Sequence, residues 1–260
     1  MLPSQPNQSV IDAMTCLQTL VAAGGAVGNR ELARQMGLNI TRVNRLLKTM
    51  AHVGMVRQTP QRKYLPGPGV HVLTALALQG DPMITAGVPI LEDELRTLPV
   101  DLTLALGMLW QRHVAYLFHT KVGPDALSPA STVAVRSHDL FPVLRSSVGR
   151  VMLAHQDAGY LDRFFPPDAD VLPYTSRDAL RDDLEQIRKD GFAYATAEQT
   201  GSRPSVAVPV GAEGDRPYAG VAIAGIEEHQ VKETVDRLRD LASRLDSAIA
   251  VASKPRAGGK

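Results

Sequence analysis

Cysteine occurs once in the 260 residues, as Cys16, so the chain can form no internal disulfide. That fits a reducing compartment. The apolar stretches, such as residues 70–78, fall far short of the ~20 residues a membrane helix needs. No basic segment followed by an apolar one opens the sequence, so no secretory signal is read. The expected location is the cytoplasm. Catalytic motifs are missing too. His52, His71, His113, His119, His138, His155 and His229 form no HExxH or paired-ligand spacing, which argues against a metal site. Ser146-Ser147 stands near Gly149 without a G-x-S-x-G elbow or triad partners. Gly67 and Gly69 alternate with Pro66 and Pro68, which is a hinge pattern and not a phosphate loop. No internal repeat is seen. No catalytic residue, cofactor, metal or enzymatic activity is therefore expected.

What is present is an ordinary globular composition, 44% hydrophobic and 21% charged, long enough to bury a core unaided. The net charge of +1 conceals an asymmetry. Residues 1–65 carry eight basic side chains (Arg30, Arg34, Arg42, Arg45, Lys48, Arg57, Arg62 and Lys63) against Asp12 and Glu31, a net +6. The remainder holds 20 basic and 25 acidic side chains, a net −5. A basic head on an acidic body suits a polyanionic partner.

The head reads as helix, helix, turn, helix, hairpin. Ser9 can cap a first helix whose apolar stripe is Val10, Met14, Leu17 and Val21, with Cys16 packed beside it; Gly24 and Gly25 end it. A second helix spans about residues 30–36, with Leu32, Ala33 and Met36 on one face. Gly37-Leu38-Asn39 is a tight turn, and Asn39 caps a third helix over about 40–53. Its stripe is Val43, Leu46, Leu47 and Met50. Strands at 55–58 and 63–65 flank the tip Thr59-Pro60-Gln61-Arg62. The domain reading is a winged helix-turn-helix over 1–69, a linker helix over 70–80, a second domain over 81–253 and a disordered tail over 254–260.

In the second domain a helix is expected over 83–98. A two-residue alternation through Val100, Leu102, Leu104, Leu106 and Met108 then predicts a strand. Gln111-Arg112-His113 turns into a partner strand over 114–119. Further strands are expected near 132–136 and over 192–197, 205–210 and 218–226, with Ala212-Glu213-Gly214-Asp215 as the last turn. Helices are expected over 147–155, 158–165, about 176–190 from a cap at Thr175 or Ser176, and about 229–252. Strands and helices mix without strict alternation, which favours an α+β class with helices on an antiparallel sheet.

The third helix carries the functional signal. One face packs inward, while Thr41, Arg42, Asn44, Arg45 and Lys48 can meet base edges in a major groove. Arg is a bidentate donor to guanine, and Asn pairs with adenine. Arg57, Arg62 and Lys63 near the tip suit phosphates or an adjacent groove. Two function classes stay open: a ligand-responsive regulator of double-stranded operator DNA, and an enzyme or carrier whose head mediates protein contacts.

The sequence resembles the IclR family of bacterial transcription regulators over about residues 9–252. In the head the resemblance rests on Arg30-Glu31-Leu32-Ala33-Arg34-Gln35-Met36-Gly37-Leu38 and Val43-Asn44-Arg45-Leu46-Leu47-Lys48-Thr49-Met50. Later pieces are Ser147-Val148-Gly149-Arg150-Val151-Met152-Leu153-Ala154, Gly191-Phe192-Ala193 and Val206-Ala207-Val208-Pro209-Val210. The resemblance implies a winged-helix head, a linker helix, a GAF-like effector domain, dimers or tetramers on palindromic operators, and a small-metabolite effector. The matched pocket positions are Arg145, Ser146, Ser147, Val148, Ala195, Ser205, Ala222 and Ala224. The chain departs from the family there. Ser205 stands where a cysteine is frequent, and Ala222 and Ala224 where members that bind small oxo acids place serines. A larger, more apolar pocket is therefore expected, suited to an aromatic or partly apolar acid. Sugar acids and small oxo acids are the alternatives. The polar end would be held by Ser205, the N–H groups of 147–149, or Arg145 if it turns inward.

Overall fold

The computed structural model describes residues 5–123, 141–211 and 216–253, and the chain divides into two compact units, Met1–Asp81 and Pro82–Lys260. In the first unit α1 (Gln8–Ala22), α2 (Asn29–Met36) and α3 (Ile40–His52) precede the strands β1 (Val56–Gln58) and β2 (Tyr64–Pro66), then α4 (Pro68–Gly80). This is the winged helix-turn-helix order the sequence predicts. α2 ends on Gly37 in the left-handed region (φ 63°), the conformation that lets the chain turn sharply. Asn39 then caps α3, its side-chain oxygen accepting the Arg42 N–H at 2.7 Å.

α1 corrects two expectations. Its cap is Asn7, not Ser9, and its buried face is Asp12, Cys16, Leu17 and Leu20. Val10, Met14 and Val21 are exposed. Two apolar stripes share this helix, and periodicity supplies a spacing without saying which stripe the neighbouring helices cover. Cys16 and Leu20 pack with Leu32, Val43, Leu47, Val56 and Tyr64 into one small core.

The second unit opens with one wide π turn (Met83–Gly87) that runs into α5 (Val88–Thr97), where the sequence suggests a single helix. Pro89 lacks the N–H for a regular i→i−4 bond, so the hydrogen-bond ladder changes there. The remaining elements are β3 (Thr103–Trp110), β4 (His113–Lys121), β5 (Phe141–Pro142), α6 (Ser147–Ala154), α7 (Ala158–Phe164), α8 (Arg177–Asp190), β6 (Ala193–Ala195), α9 (Ala197–Thr200), β7 (Ser205–Val210), β8 (Ala219–Ala224) and α10 (Val231–Ala252). The sheet order is β5-β4-β3-β8-β7-β6, antiparallel at every pairing. The α+β class with a GAF-like sheet holds.

β3 starts at Thr103 and not at 100, because Asp101 takes a positive φ of 75°. β6 stops at Ala195, short of 197. Thr196 and Gln199 form a reciprocal cap that starts α9. The expected strand near 132–136, the turn at 212–215 and the tail at 254–260 lie outside the described residues.

α5 and α10 cover one sheet face, burying Leu104, Leu106, Val206, Val208, Val221 and Ile223 against Leu91, Leu238, Leu241 and Leu245. Each such side chain contributes about 1.5–3 kcal/mol when fully buried. α6, α7 and α8 belong to the other core, where Val148, Val151, Met152, Leu180 and Leu184 meet the alanines Ala105, Ala207 and Ala222. Small side chains on that face let α6 lie close to the sheet. Among the described residues no helix is long and apolar enough to cross a membrane.

Candidate nucleic-acid interface and effector site

Thr41, Arg45 and Lys48 stand exposed on α3. Arg57 on β1, and Arg62 and Lys63 at the tip, are exposed too. The tip is ordered by its own backbone: Thr59 N–H donates to the Lys63 carbonyl at 2.7 Å and Arg62 N–H to the Thr59 carbonyl at 2.9 Å. Arg42 and Asn44 are half-buried and already engaged. Arg42 forms an ion pair with Asp12 of α1. Asn44 Oδ1 accepts from Asn29 Nδ2 of α2 at 2.7 Å, which sets the orientation of its amide. The eight positions thus divide into six side chains without a partner among the described residues and two held from behind. Periodicity in α3 shows which residues face outward, but the tethers come from other helices and leave no signal in it.

Of the expected effector positions, Ser146, Ser147 and Val148 stand at the start of α6, and Ala195, Ser205, Ala222 and Ala224 lie on β6, β7 and β8. Ser146 caps the helix: its Oγ accepts the Gly149 N–H at 3.1 Å and shares a 2.9 Å hydrogen bond with the Tyr116 hydroxyl. The Gly149 N–H is therefore spent, whereas the Ser147 and Val148 N–H groups have no hydrogen-bond partner among the described residues. Ser205 Oγ donates to Ser147 Oγ at 2.9 Å. Ser146, Ser147 and Ser205 are all buried. The strand register aligns Thr103, Ala224, Ser205 and Ala195 in one row across β3, β8, β7 and β6. The next row on the same face is Ala105, Ala222, Ala207 and Ala193. Hydroxyls thus stand over a floor of alanines.

Three expected positions behave differently. Val148 and Ala222 are members of the packed core. Arg145 is exposed, and its guanidinium reaches toward Gly201. Tyr116 was not among the expected residues. A register shift between Leu106 and Gly107 puts Leu117 out of step, so that Val114 packs with the α6 core, Phe118 with the α10 core, and Tyr116 with the α6 side. No alternation rule anticipates that inversion. Burial pushes the Tyr116 phenol above its ordinary range, partly offset by the Ser146 hydrogen bond, so it acts here as a neutral hydroxyl.

Arg150 joins this site to its supports. It is buried, and its Nη1 donates to the Tyr194 carbonyl at 2.8 Å and to Gln199 Oε1 at 2.9 Å. One side chain therefore connects α6 with β6 and α9.

Comparison with known proteins agrees with this geometry. Residues 10–60 match the IclR helix-turn-helix domain family, and residues 76–250 match the bacterial transcriptional regulator IclR C-terminal family. The HTH-type transcriptional regulator Rv1719 of Mycobacterium tuberculosis is 29% identical over 199 residues, 74% of this chain and 73% of that protein. The HTH-type transcriptional regulator KdgR of Escherichia coli is 27% identical over 98% of both chains. The solved IclR homologue of Microbacterium hydrocarbonoxydans, complexed with 4-hydroxybenzoate, superposes with a TM-score of 0.62 at 22% identity, covering 92% of this chain and 99% of that one.

Proposed function

The chain belongs to the IclR family of bacterial transcriptional regulators, and from that premise we propose that it reads palindromic operator DNA and responds to a small, partly apolar acid. The outer face of α3, with Thr41, Arg45 and Lys48 exposed and Arg42 and Asn44 half-buried beside them, supports base readout. Arg57, Arg62 and Lys63 serve phosphates. The regulator acts as a homodimer or homotetramer, since α4 buries none of its residues and leaves Val72, Leu73 and Leu76 exposed. A second copy covering that helix would pair two heads for half-sites about one helical turn apart. Light scattering at micromolar concentration tests this, and a monomeric mass overturns it.

The effector lies at the start of α6. One observation carries this part: the buried Ser147–Ser205 hydroxyl pair flanked by Ala195 and Ala224. With Ser205 donating to Ser147, the Ser147 hydroxyl hydrogen has no acceptor among the described residues and suits a carboxylate. The alanines offer nothing to further polar groups, and each polar group buried unpaired costs about 1–3 kcal/mol. An aromatic acid satisfies both constraints, and the 4-hydroxybenzoate held by a protein of the same fold is of that class. Thermal shift with 4-hydroxybenzoate, benzoate, glyoxylate, pyruvate and a sugar acid is the test. Stabilisation by the oxo acids or sugar acid, with none by an aromatic acid, overturns the reading. A gel shift on DNA flanking its own gene, with an aromatic acid present and absent, tests the regulator itself.

A further inference from the structure

We infer that Asp12 is a positioning residue for DNA readout: from α1 its buried carboxylate holds the Arg42 guanidinium by charge and so restricts where that group lies on the outer face of α3. The inference rests on the reading of α3 as the recognition helix.

Asp12 is unusual where it stands. Its side chain is 7% exposed, on the face of α1 that carries Cys16 and Leu20, whereas its partner Arg42 is 40% exposed. A carboxylate at that depth is costly unless it is paired. Gln8 Nε2 donates to its Oδ1 at 2.7 Å, and the Arg42 guanidinium lies against its Oδ2 as an ion pair, an oxygen that accepts no hydrogen bond among the described residues. Arg42 is held at its other end as well, through the Asn39 bond to its backbone N–H. The pairing is one of charge and not of donor geometry, so the five N–H donors of the guanidinium fork stay available to a base edge while Asp12 holds the group in place.

Charge favours a role beyond stability. Residues 1–65 hold eight basic side chains and two acids, and the other acid, Glu31, pairs with Arg34 within α2. An acid beside a surface built for phosphates weakens binding to every sequence alike. It is useful there if it restricts the rotamers of one reading side chain before DNA arrives, because less freedom is then lost on binding.

The experiment uses the full chain and a randomised duplex library that is selected and sequenced, followed by affinity for one selected and one scrambled duplex. Arg42→Ala is expected to lower affinity for the selected duplex about tenfold and flatten the preference at one base pair. Asp12→Asn is expected to flatten the same base pair, while affinity for the scrambled duplex holds or rises because a negative charge has left the interface. A merely damaged head loses both affinities together, which would overturn the inference. Asp12→Ser serves with the same expectations if Asp12→Asn melts below the assay temperature. The inference also falls if the Asp12 variant keeps the preference, or if its effect persists in the Arg42→Ala background. If Arg42→Ala changes no preference, the inference fails; Arg45→Ala then tells whether α3 reads bases at all.

Discussion

Arg150 of α6 and Asp183 of α8 meet in a bidentate pair, Nη2 to Oδ1 at 2.7 Å and Nε to Oδ2 at 3.1 Å, with the Arg150 side chain only 3% exposed. Tyr174 completes it, donating its hydroxyl to Asp183 Oδ2 at 2.6 Å. Burial and the neighbouring Asp183 carboxylate hold the Tyr174 phenol far above its ordinary pKa, with Arg150 opposing, so the phenol stays a donor. The guanidinium is thereby saturated: carboxylate on one side, carbonyl and amide oxygens on the other.

Arg150→Ala is expected to destabilise the second unit by about 3 kcal/mol, since removing one partner strands the other and empties a buried site. Arg150→Lys should recover little of this, because an ammonium cannot make the fork. Trp110 in β3 is the sole tryptophan, so its fluorescence during urea unfolding reports on this unit alone. Wild-type midpoints in both variants would refute the assignment.

Gly149→Ala addresses the start of α6. A Cβ there would sit 2.2 Å from the Val143 carbonyl oxygen and 2.7 Å from Val143 Cγ2. The helix must move off the preceding turn, at a cost of about 1–3 kcal/mol. Ser146 and Ser147 move with it, so the acid-induced thermal shift should shrink as well. A variant with native stability and an intact shift would count against the close approach.

Cys16 is expected to be inert in the native state. Burial raises its thiol to about 11, so almost no thiolate exists at pH 8. Alkylation by iodoacetamide should be slow in buffer and fast in urea. The folded state favours the protonated thiol, so this contribution to stability is intact below the unfolded thiol pKa of about 8.5. It is lost as pH rises from there toward about 11. Melting temperatures between pH 8 and 11 measure the fall; fast native alkylation at pH 8 would contradict the prediction.

Under the proposed DNA reading, Lys63 and Asn29 would separate two kinds of contact. Lys63→Ala should weaken selected and scrambled duplexes alike and reduce the salt slope by about one. Asn29→Ala removes the donor that fixes Asn44 Oδ1, so it should alter preference at a single base pair and leave the salt slope unchanged. Salt titrations on both duplexes distinguish the two patterns.

The order of elements in the head, the α3 face and the β7 strand were legible in the chain itself. Each follows from local rules: Asn39 as a cap, Gly37 as a left-handed stop, and hydrophobic periods of 3.6 or 2. The IclR resemblance extended that reading to Ser146, Ser147 and Ser205. It could not say that Ser205 would donate to Ser147, because β7 and α6 are 58 positions apart in sequence.

What only the tertiary structure decided has one physical origin: the choice depends on what packs opposite. α1 carries two apolar stripes, and its neighbours bury Cys16 and Leu20 while leaving Val10 and Met14 outside. Asp12 reads as an ordinary helix acid until α3 places Arg42 against it. A single bulge on β4 turns Tyr116 toward Ser146 and Phe118 to the opposite core. The sequence determined which local shapes the chain prefers and that its head is basic. Long-range contacts chose the buried faces, joined the polar side chains into pairs, and so brought the candidate residues together.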